Sequence, residues 1–255
     1  MKYLATEGDL RKVILPQQTS TYKPISHAQL IDLTLESVYQ AGFVVDKVEY
    51  TSARDGNIAN GRYTIKNVSD SEMQLMIGFQ NSIDKSLSLK WAVGTRLFIC
   101  ENGCVSSDYG NFKRKHTGDV QNFTPDAIFS YVKSAGEAFR RIQMERDAMK
   151  NIEVTKRVCA ELIGRMLIEE EFLSSSQVSI IREQMLHPSF NYGSENSLWQ
   201  LYQHTTYALK EDHPFNWMNS HLSAHKFFVD NSNIVVPVKE IEIVDKSQLE
   251  LALTC

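Results

Sequence analysis

The chain has 255 residues, of which 42% are hydrophobic and 23% are charged. This length and composition are typical of a folded protein with a substantial core, and they exclude wholesale disorder. The formal net charge is −4, from 27 Lys and Arg against 31 Asp and Glu. A protein coated with cations for wrapping duplex DNA is therefore excluded, and any nucleic-acid site must be local.

The composition also predicts a cytoplasmic protein, in the host cell if the gene belongs to a phage. The opening MKYLATEGDLRK lacks the apolar segment of a signal peptide. Four cysteines are few for this length and fit a reducing compartment. No apolar run approaches the roughly 18 to 20 residues that span a bilayer, so we expect no membrane partner.

The first predicted elements are a short strand at residues 12–15 and then a helix. Ser26 and Gln29 form the pattern of a capping box, so the helix should begin there. Its apolar residues recur at helical spacing as far as Ala41, and Gly42 is a common residue just after a helix end.

From residue 43 the apolar period changes to two. Turn signals at Asp55-Gly56, Asn60-Gly61 and Ser69-Asp70 divide this region. The pattern predicts an antiparallel meander of about four strands. Thr124 and Pro125 then form a helix start, and the long helix that follows should reach about Asn151.

The rest of the chain is predicted to be helical. Helices are expected near residues 155–173, 176–186, 195–210 and 215–230, before a tail that is either a strand or an extended arm. The fold class is thus α+β: an N-terminal helix, the meander, a long helix packed on it and an all-helical C-terminal half. We divide the chain into an α+β core, residues 1–152, and a helical region with its tail, residues 153–255.

A basic cluster opposes the net charge of the chain. Between residues 82 and 118, six cations face three anions, which gives a local charge of +3. The cations are Lys85, Lys90, Arg96, Lys113, Arg114 and Lys115. Phosphates need positive charge, so these residues are candidates for binding nucleic acid, whereas the alternative is a solvated charge run. Arg140 and Arg141 of the predicted long helix are candidates to face the same groove.

Aromatic residues alternate with these cations. Trp91, Tyr109 and Phe112 are candidates for base stacking, because unstacked bases need a flat platform. Cations beside aromatic rings are the combination that a single-strand site requires. The cluster therefore favours single-stranded over double-stranded nucleic acid.

Other patterns carry less chemistry. His221 and His225 are four residues apart on a predicted helix and could share a metal, but the usual glutamate after the first histidine is absent. Cys100 and Cys104 have three residues between them, which fits neither a redox pair nor the usual zinc knuckle. The common phosphate-loop, dinucleotide and nucleophile-elbow motifs are missing. We therefore expect no catalytic residue, no metal and no cofactor.

The C-terminal half is rich in aromatic residues. They are Trp199, Tyr202, Tyr207, Trp217, Phe227 and Phe228. Such side chains dominate the burial energetics of a core, so most should be buried. The alternative is that some anchor an interface, because interfaces are also enriched in aromatic residues.

The stretch from residue 77 to residue 118 resembles the phage- and plasmid-borne "domain of unknown function 932" family. That family pairs an N-S-x-D-type turn with a C-x-N-G-like turn and a later basic residue before histidine. The matching residues are Asn81, Ser82, Asp84, Cys100, Asn102, Gly103, Lys115 and His116. The stretch around Trp199 and Tyr202 resembles the helical end of the family. The resemblance spans about residues 26–228 and implies a mobile-element protein.

The order of elements is similar to the core of the phage single-strand annealing proteins, including the Red-beta group. In those proteins subunits form rings or filaments, and a basic groove between sheet and helix displays the strand. By position, this resemblance implies phosphate contacts from the six cations of the basic cluster, with support from Arg140 and Arg141. It is an analogy of topology.

The leading hypothesis is a non-enzymatic phage or mobile-element protein that binds or anneals single-stranded DNA in recombination, as a homo-oligomeric ring or filament. A second hypothesis is a protein–protein interaction module that binds or inhibits a host factor through its aromatic C-terminal half. A third is a metal-dependent nuclease or hydrolase that uses His116 or the pair His221 and His225.

Overall fold

A computed structural model describes residues 3–97, 103–105, 111–193, 195–213 and 215–232. The protein is α+β, as predicted. The strands are β1 (Leu4–Ala5), β2 (Val45–Ala53), β3 (Ile58–Ser69), β4 (Met73–Ser82), β5 (Leu89–Leu97), β6 (Gly103–Val105) and β7 (Asn111–Arg114). The helices are α1 (Glu7–Arg11), α2 (His27–Gln40), α3 (Val120–Lys133), α4 (Ala135–Lys150), α5 (Lys156–Ile168), α6 (Ser175–Leu186), α7 (Leu198–Ala208) and α8 (Trp217–Asp230), with a 3-10 turn at Leu209–Glu211.

All seven strands form one antiparallel sheet in the order β1-β2-β3-β4-β5. The two short strands β6 and β7 share the position beyond β5. β6 pairs with Gly94–Arg96, and β7 pairs with Leu89–Ala92. The predicted meander is confirmed as β2 to β5, and the short strands extend it at both edges.

The Asn60-Gly61 pair is not a turn, contrary to the sequence prediction. Both residues lie inside β3, and the β2–β3 turn is at the other predicted signal, where Asp55 and Gly56 have φ of 54° and 90°. A glycine is needed at position 61 because an added Cβ would lie 2.5 Å from Cε1 of Phe79. Packing against the next strand therefore explains the glycine that suggested a turn.

The capping box at Ser26 and Gln29 is confirmed as the start of α2, and Gly42 follows the helix with φ of 76°. The predicted strand at residues 12–15 is wrong. The first strand is instead β1, and a second capping box at Thr6 begins α1 directly after it. The cap satisfies N–H groups that the first turn of the helix cannot pair internally.

The predicted long helix is two helices that meet at Ser134, whose φ and ψ are −91° and 0°. The first of them, α3, begins at Val120 rather than at Thr124. The hydroxyl of Thr124 donates to the carbonyl of Val120 at 2.6 Å, so it bonds backwards within the helix instead of capping it. Pro125 therefore lies inside α3, where it cannot supply the helical bond to the carbonyl of Gln121.

The two faces of the sheet differ in chemistry. Odd-numbered residues of β3, β4 and β5 form the apolar face, and they pack in the main core with residues of α2, α3 and α4. Even-numbered residues of the same strands form the polar face. The first turn of α8 packs on this face, where Met218 joins Met76 and Ala92 in a second, small cluster.

The helical half agrees with its prediction to within a few residues at most helix ends. Thr155 caps α5 and Ser174 caps α6 through their hydroxyl oxygens. One hydrophobic core contains residues from both predicted regions, for example Trp91 and Trp199. The boundary near residue 152 stays a prediction, and the tail after residue 232 lies outside the described residues. Within the described part of the chain, every helix is too short or too polar to cross a bilayer.

Candidate nucleic-acid interface

A row of polar side chains crosses the polar face from strand to strand. The members are directly opposite one another in the register: Thr51 of β2, Asn60 of β3, Gln80 of β4, Lys90 of β5 and Lys113 of β7. Nδ2 of Asn60 donates to the hydroxyl of Thr51 at 3.1 Å. Nε2 of Gln80 donates to Oδ1 of Asn60 at 3.0 Å. We call these five residues the polar row.

Lys90 is the charged centre of the polar row and is only 4% exposed. Its ammonium group donates to Oε1 of Gln80 at 3.3 Å and to Oδ1 of Asn219 in α8. Both are neutral oxygens, and no carboxylate of the described residues pairs with this lysine. Burial, with a smaller contribution from the charge of Lys113, lowers the pKa of Lys90 to about 8. Buried groups perturbed in this way are candidates for functional sites.

The polar row ends at the sheet edge in three exposed cations. Lys113, Arg114 and Lys115, which we call the basic edge, occupy β7 and the residue after it. The guanidinium of Arg114 lies 4.4 Å from the ring centroid of Phe123 in α3. None of the three forms an ion pair with a carboxylate in the described part of the chain, so no described acidic side chain compensates their charges at short range.

Lys85 lies close to the basic edge. Its ammonium is 4.8 Å from the ring centroid of Tyr22, and that ring lies edge-on to His116, with 6.0 Å between centroids. His116 directly follows Lys115 in the chain. The linker before α2 thus brings the β4–β5 turn beside the basic edge, as the predicted cation cluster requires.

Two residues that carry the family resemblance, Asn81 and His116, meet at the same linker. Nδ2 of Asn81 donates to the carbonyl of Ile25 at 2.9 Å and lies 3.1 Å from Nδ1 of His27. The N–H of Ile25 donates to Nδ1 of His116 at 3.4 Å. Burial lowers the pKa of both histidines, which favours their neutral forms. These residues hold the basic edge in place; Cys100 and Asn102 lie outside the described residues.

The base-stacking assignment of Trp91 and Phe112 must be corrected. Trp91 is 0% exposed and Phe112 is 8% exposed. Their rings stack at 6.3 Å on the apolar face, beside Tyr131 of α3, so neither can receive a base in this structure. The reason is that Trp91 and Phe112 alternate with Lys90 and Lys113 along their strands, and neighbouring residues of a strand point to opposite faces. Tyr109 lies outside the described residues.

Three predicted phosphate ligands are separate from this cluster. Arg140 and Arg141 lie on α4, which covers the apolar face, so they do not form one groove with Lys90. Arg141 is buried and pairs with Glu137 at 3.2 Å, whereas Arg140 is exposed. Arg96 lies on the polar face, but six residues along β5 from Lys90, a separation of about 20 Å.

Some residues that suggested a metal-dependent enzyme or a protein–protein interaction module have other roles in the structure. His225 lies in a buried contact, with Nε2 at 3.0 Å from Oε2 of Glu145 and Nδ1 at 3.1 Å from the hydroxyl of Tyr202. Among the described residues, no three His, Cys, Asp or Glu side chains are placed to hold a metal. Trp199 and Phe228 are at most 1% exposed, so they are core residues and not interface anchors.

Sequence patterns did not identify Asn60 and Gln80, the amides of the polar row, or Arg62 beside them. Arg62 of β3 lies on the polar face, and its guanidinium is 5.2 Å from the ring centroid of Trp217 in α8. The period of two could have identified Asn60 and Gln80 as sharing a face with Lys90, but only the register shows that they are neighbours.

A family model described as Domain of unknown function (DUF932) matches residues 15–227 of the chain. No curated protein matches the chain. No solved structure matches it either.

Proposed function

This chain belongs to the Domain of unknown function (DUF932) family, and we propose that it binds single-stranded DNA without catalysing a reaction. The strand is held through the phosphates by the basic edge, Lys113, Arg114 and Lys115. Lys85 adds a fourth cation beside it.

One observation carries the proposal: three consecutive exposed cations at a sheet edge have no carboxylate partner among the described residues. An ordinary solvated surface intersperses its charges, as on α1 and at the end of α5, where Arg11 pairs with Glu7 and Arg165 with Glu169. Phosphates supply the missing negative charge at the basic edge, and bound counterions are released when they do so.

Assembly and location belong to the same proposal. The protein acts in the cytoplasm, as a homo-oligomer that places the basic edges of several subunits along one strand and so supports annealing. Light scattering with and without oligonucleotide measures this directly, because a ring or filament has a mass several times that of one chain. If the measured mass is that of one chain in both conditions, the protein does not assemble, and the proposal of annealing is overturned while that of strand binding is not.

The test is fluorescence anisotropy with a labelled single-stranded oligonucleotide and the matching duplex. Replacing Lys113, Arg114 and Lys115 by alanine should weaken single-strand binding by about 10- to 100-fold. The slope of log affinity against log salt should fall by about 2, since each single-strand phosphate contact contributes about 0.7.

The matched control removes the same charge from the helical half. Lys156, Arg157 and Arg182 are all exposed on α5 or α6, and their triple alanine variant should bind like the wild type. If both triple variants lost single-strand affinity equally, the loss would come from the change in net charge and not from the basic edge. Unchanged binding by the folded basic-edge variant would overturn the proposal.

A further inference from the structure

The polar face is built differently from a core that serves folding alone. Its apolar cluster has Met76, Ala92 and Met218 at the centre, with Trp217 and Leu222 packed on it. The three central residues of the polar row lie beside this cluster and are buried: Asn60, Gln80 and Lys90 are 2%, 0% and 4% exposed. Burying an ammonium without an anionic partner costs free energy, and replacing such a buried charge by apolar side chains is often neutral or stabilising.

A short segment, Phe215–Asn219, lies over the polar row, and we call it the cover. The carbonyl of Phe215 accepts from Nε2 of Gln80 at 3.3 Å, and Asn219 accepts from the ammonium of Lys90. Cation–ring contacts from Arg54 to Phe215 and from Arg62 to Trp217 complete it, at 5.4 Å and 5.2 Å. These four contacts are hydrogen bonds or cation–ring contacts, and a nucleic acid can replace each of them with an equivalent contact. Movement of the cover also exposes Met218, which is buried in the small apolar cluster.

The row is also continuous with the basic edge. Lys113 is the last member of the row and the first residue of the edge, directly opposite Lys90 in the register. Like charges at opposed positions of a sheet repel each other. An anion placed between them would relieve this repulsion and provide Lys90 with the negative partner that the described residues do not supply.

We propose that the polar row is a second binding surface for single-stranded nucleic acid, which becomes accessible when the cover moves away. This inference rests on the proposed function and extends it from the edge to the face of the sheet. Lys90 binds a phosphate, and the amides of Asn60 and Gln80 hydrogen-bond to the edges of unstacked bases. The cover therefore competes with the strand. The apparent affinity for the strand is the affinity of the open form multiplied by the fraction of molecules that are open.

Asn219 allows the competition to be tested in both directions. Asn219→Ala removes the bond from the cover to Lys90 and should tighten single-strand binding by about tenfold, the factor for a charged hydrogen bond of about 1.4 kcal/mol. Asn219→Asp places a carboxylate against Lys90 and should weaken binding by a similar factor. Asn216→Ala and Asn216→Asp are the matched controls, because Asn216 is also exposed in the cover and has no side-chain cap bond.

Amine acetylation read by mass spectrometry separates this inference from the proposed function. In free N219A, acetylation of Lys90 should be faster than in the wild type, and an oligonucleotide should slow it together with that of Lys113. If the oligonucleotide protected Lys113 but not Lys90 from acetylation, the proposal of a covered binding surface would be overturned, whereas binding at the basic edge would be supported. Protection of neither lysine would overturn both proposals. Equal affinities of N219A and N216A would also overturn the role of the cover.

Discussion

Asp70 provides a quantitative test of how the sheet is attached to α4. It lies in the β3–β4 turn, where Oδ2 accepts from Arg146 Nη1 at 2.5 Å and from Gln143 Nε2 at 2.8 Å. Oδ1 accepts from the N–H groups of Glu72 and Met73 at 2.8 Å and 2.9 Å. Burial by itself raises the pKa of Asp70, but these hydrogen bonds outweigh it and lower the pKa from 3.8 to about 2.

The shift predicts the cost of Asp70→Asn. One pKa unit corresponds to about 1.4 kcal/mol, and partial solvent screening reduces the full figure, so we expect a loss of about 1–2 kcal/mol near neutral pH. Because the folded pKa is depressed, this stability is present above the ordinary pKa near 4 and disappears as the pH falls toward about 2. Urea unfolding of both proteins across that range measures the difference.

Asp147 supplies the control, because it contacts the same guanidinium at 2.8 Å but is 59% exposed. Asp147→Asn should cost less than about 0.5 kcal/mol at any pH. Equal stabilities of D70N and D147N, or a deficit of D70N that persists undiminished in acid, would contradict a stabilising role of the Asp70 carboxylate.

Two further predictions concern packing and the buried contact between helices. Gly61→Ala should destabilise the protein by about 1–3 kcal/mol in chemical denaturation, since its Cβ would meet the ring of Phe79; Gly136→Ala, in open space on α4, should instead stabilise it by about 0.5–1 kcal/mol. Tyr202→Phe removes the hydroxyl that lies 3.1 Å from Nδ1 of His225 and should lower the free energy of unfolding by about 1 kcal/mol. A neutral result for G61A or Y202F would contradict the packing or the hydrogen bond, respectively.

Signals that act within a few residues predicted the start of α2 well but not the start of α3. The capping box at Ser26 depends only on side chains and N–H groups three residues apart, so the sequence contains all that is needed. The Thr124-Pro125 signal failed because Thr124 bonds backwards to Val120 within the helix. Asn60-Gly61 misled for a different reason. The ring that requires a glycine there belongs to Phe79, eighteen positions later, and only the register brings the two together.

The candidate site was predicted in part, because its exposed cations are consecutive in the sequence whereas the partners of Lys90 are not. Runs of cations such as Lys113–Lys115 are visible in any sequence, and the structure leaves them exposed. The aromatic residues beside them were grouped with the cations although period-two alternation separates Trp91 from Lys90. The partners of Lys90 come from β4 and α8, and their distance in sequence from β5 hides them from any local pattern.

Lys113 is where the two proposals meet, and its position decides how they can be separated. Substituting Lys113 alone removes a cation from the basic edge and also relieves the repulsion on Lys90, so its effect on affinity mixes two opposite contributions. Arg114 and Lys115 contribute to the edge without facing Lys90 in the register. The double variant R114A/K115A therefore reports on the edge, and Lys90→Met on the row. If both surfaces hold the same strand at separate phosphates, the free-energy losses of these two variants should add, because Arg114 does not face Lys90 in the register and the substituted residues contact different parts of the strand.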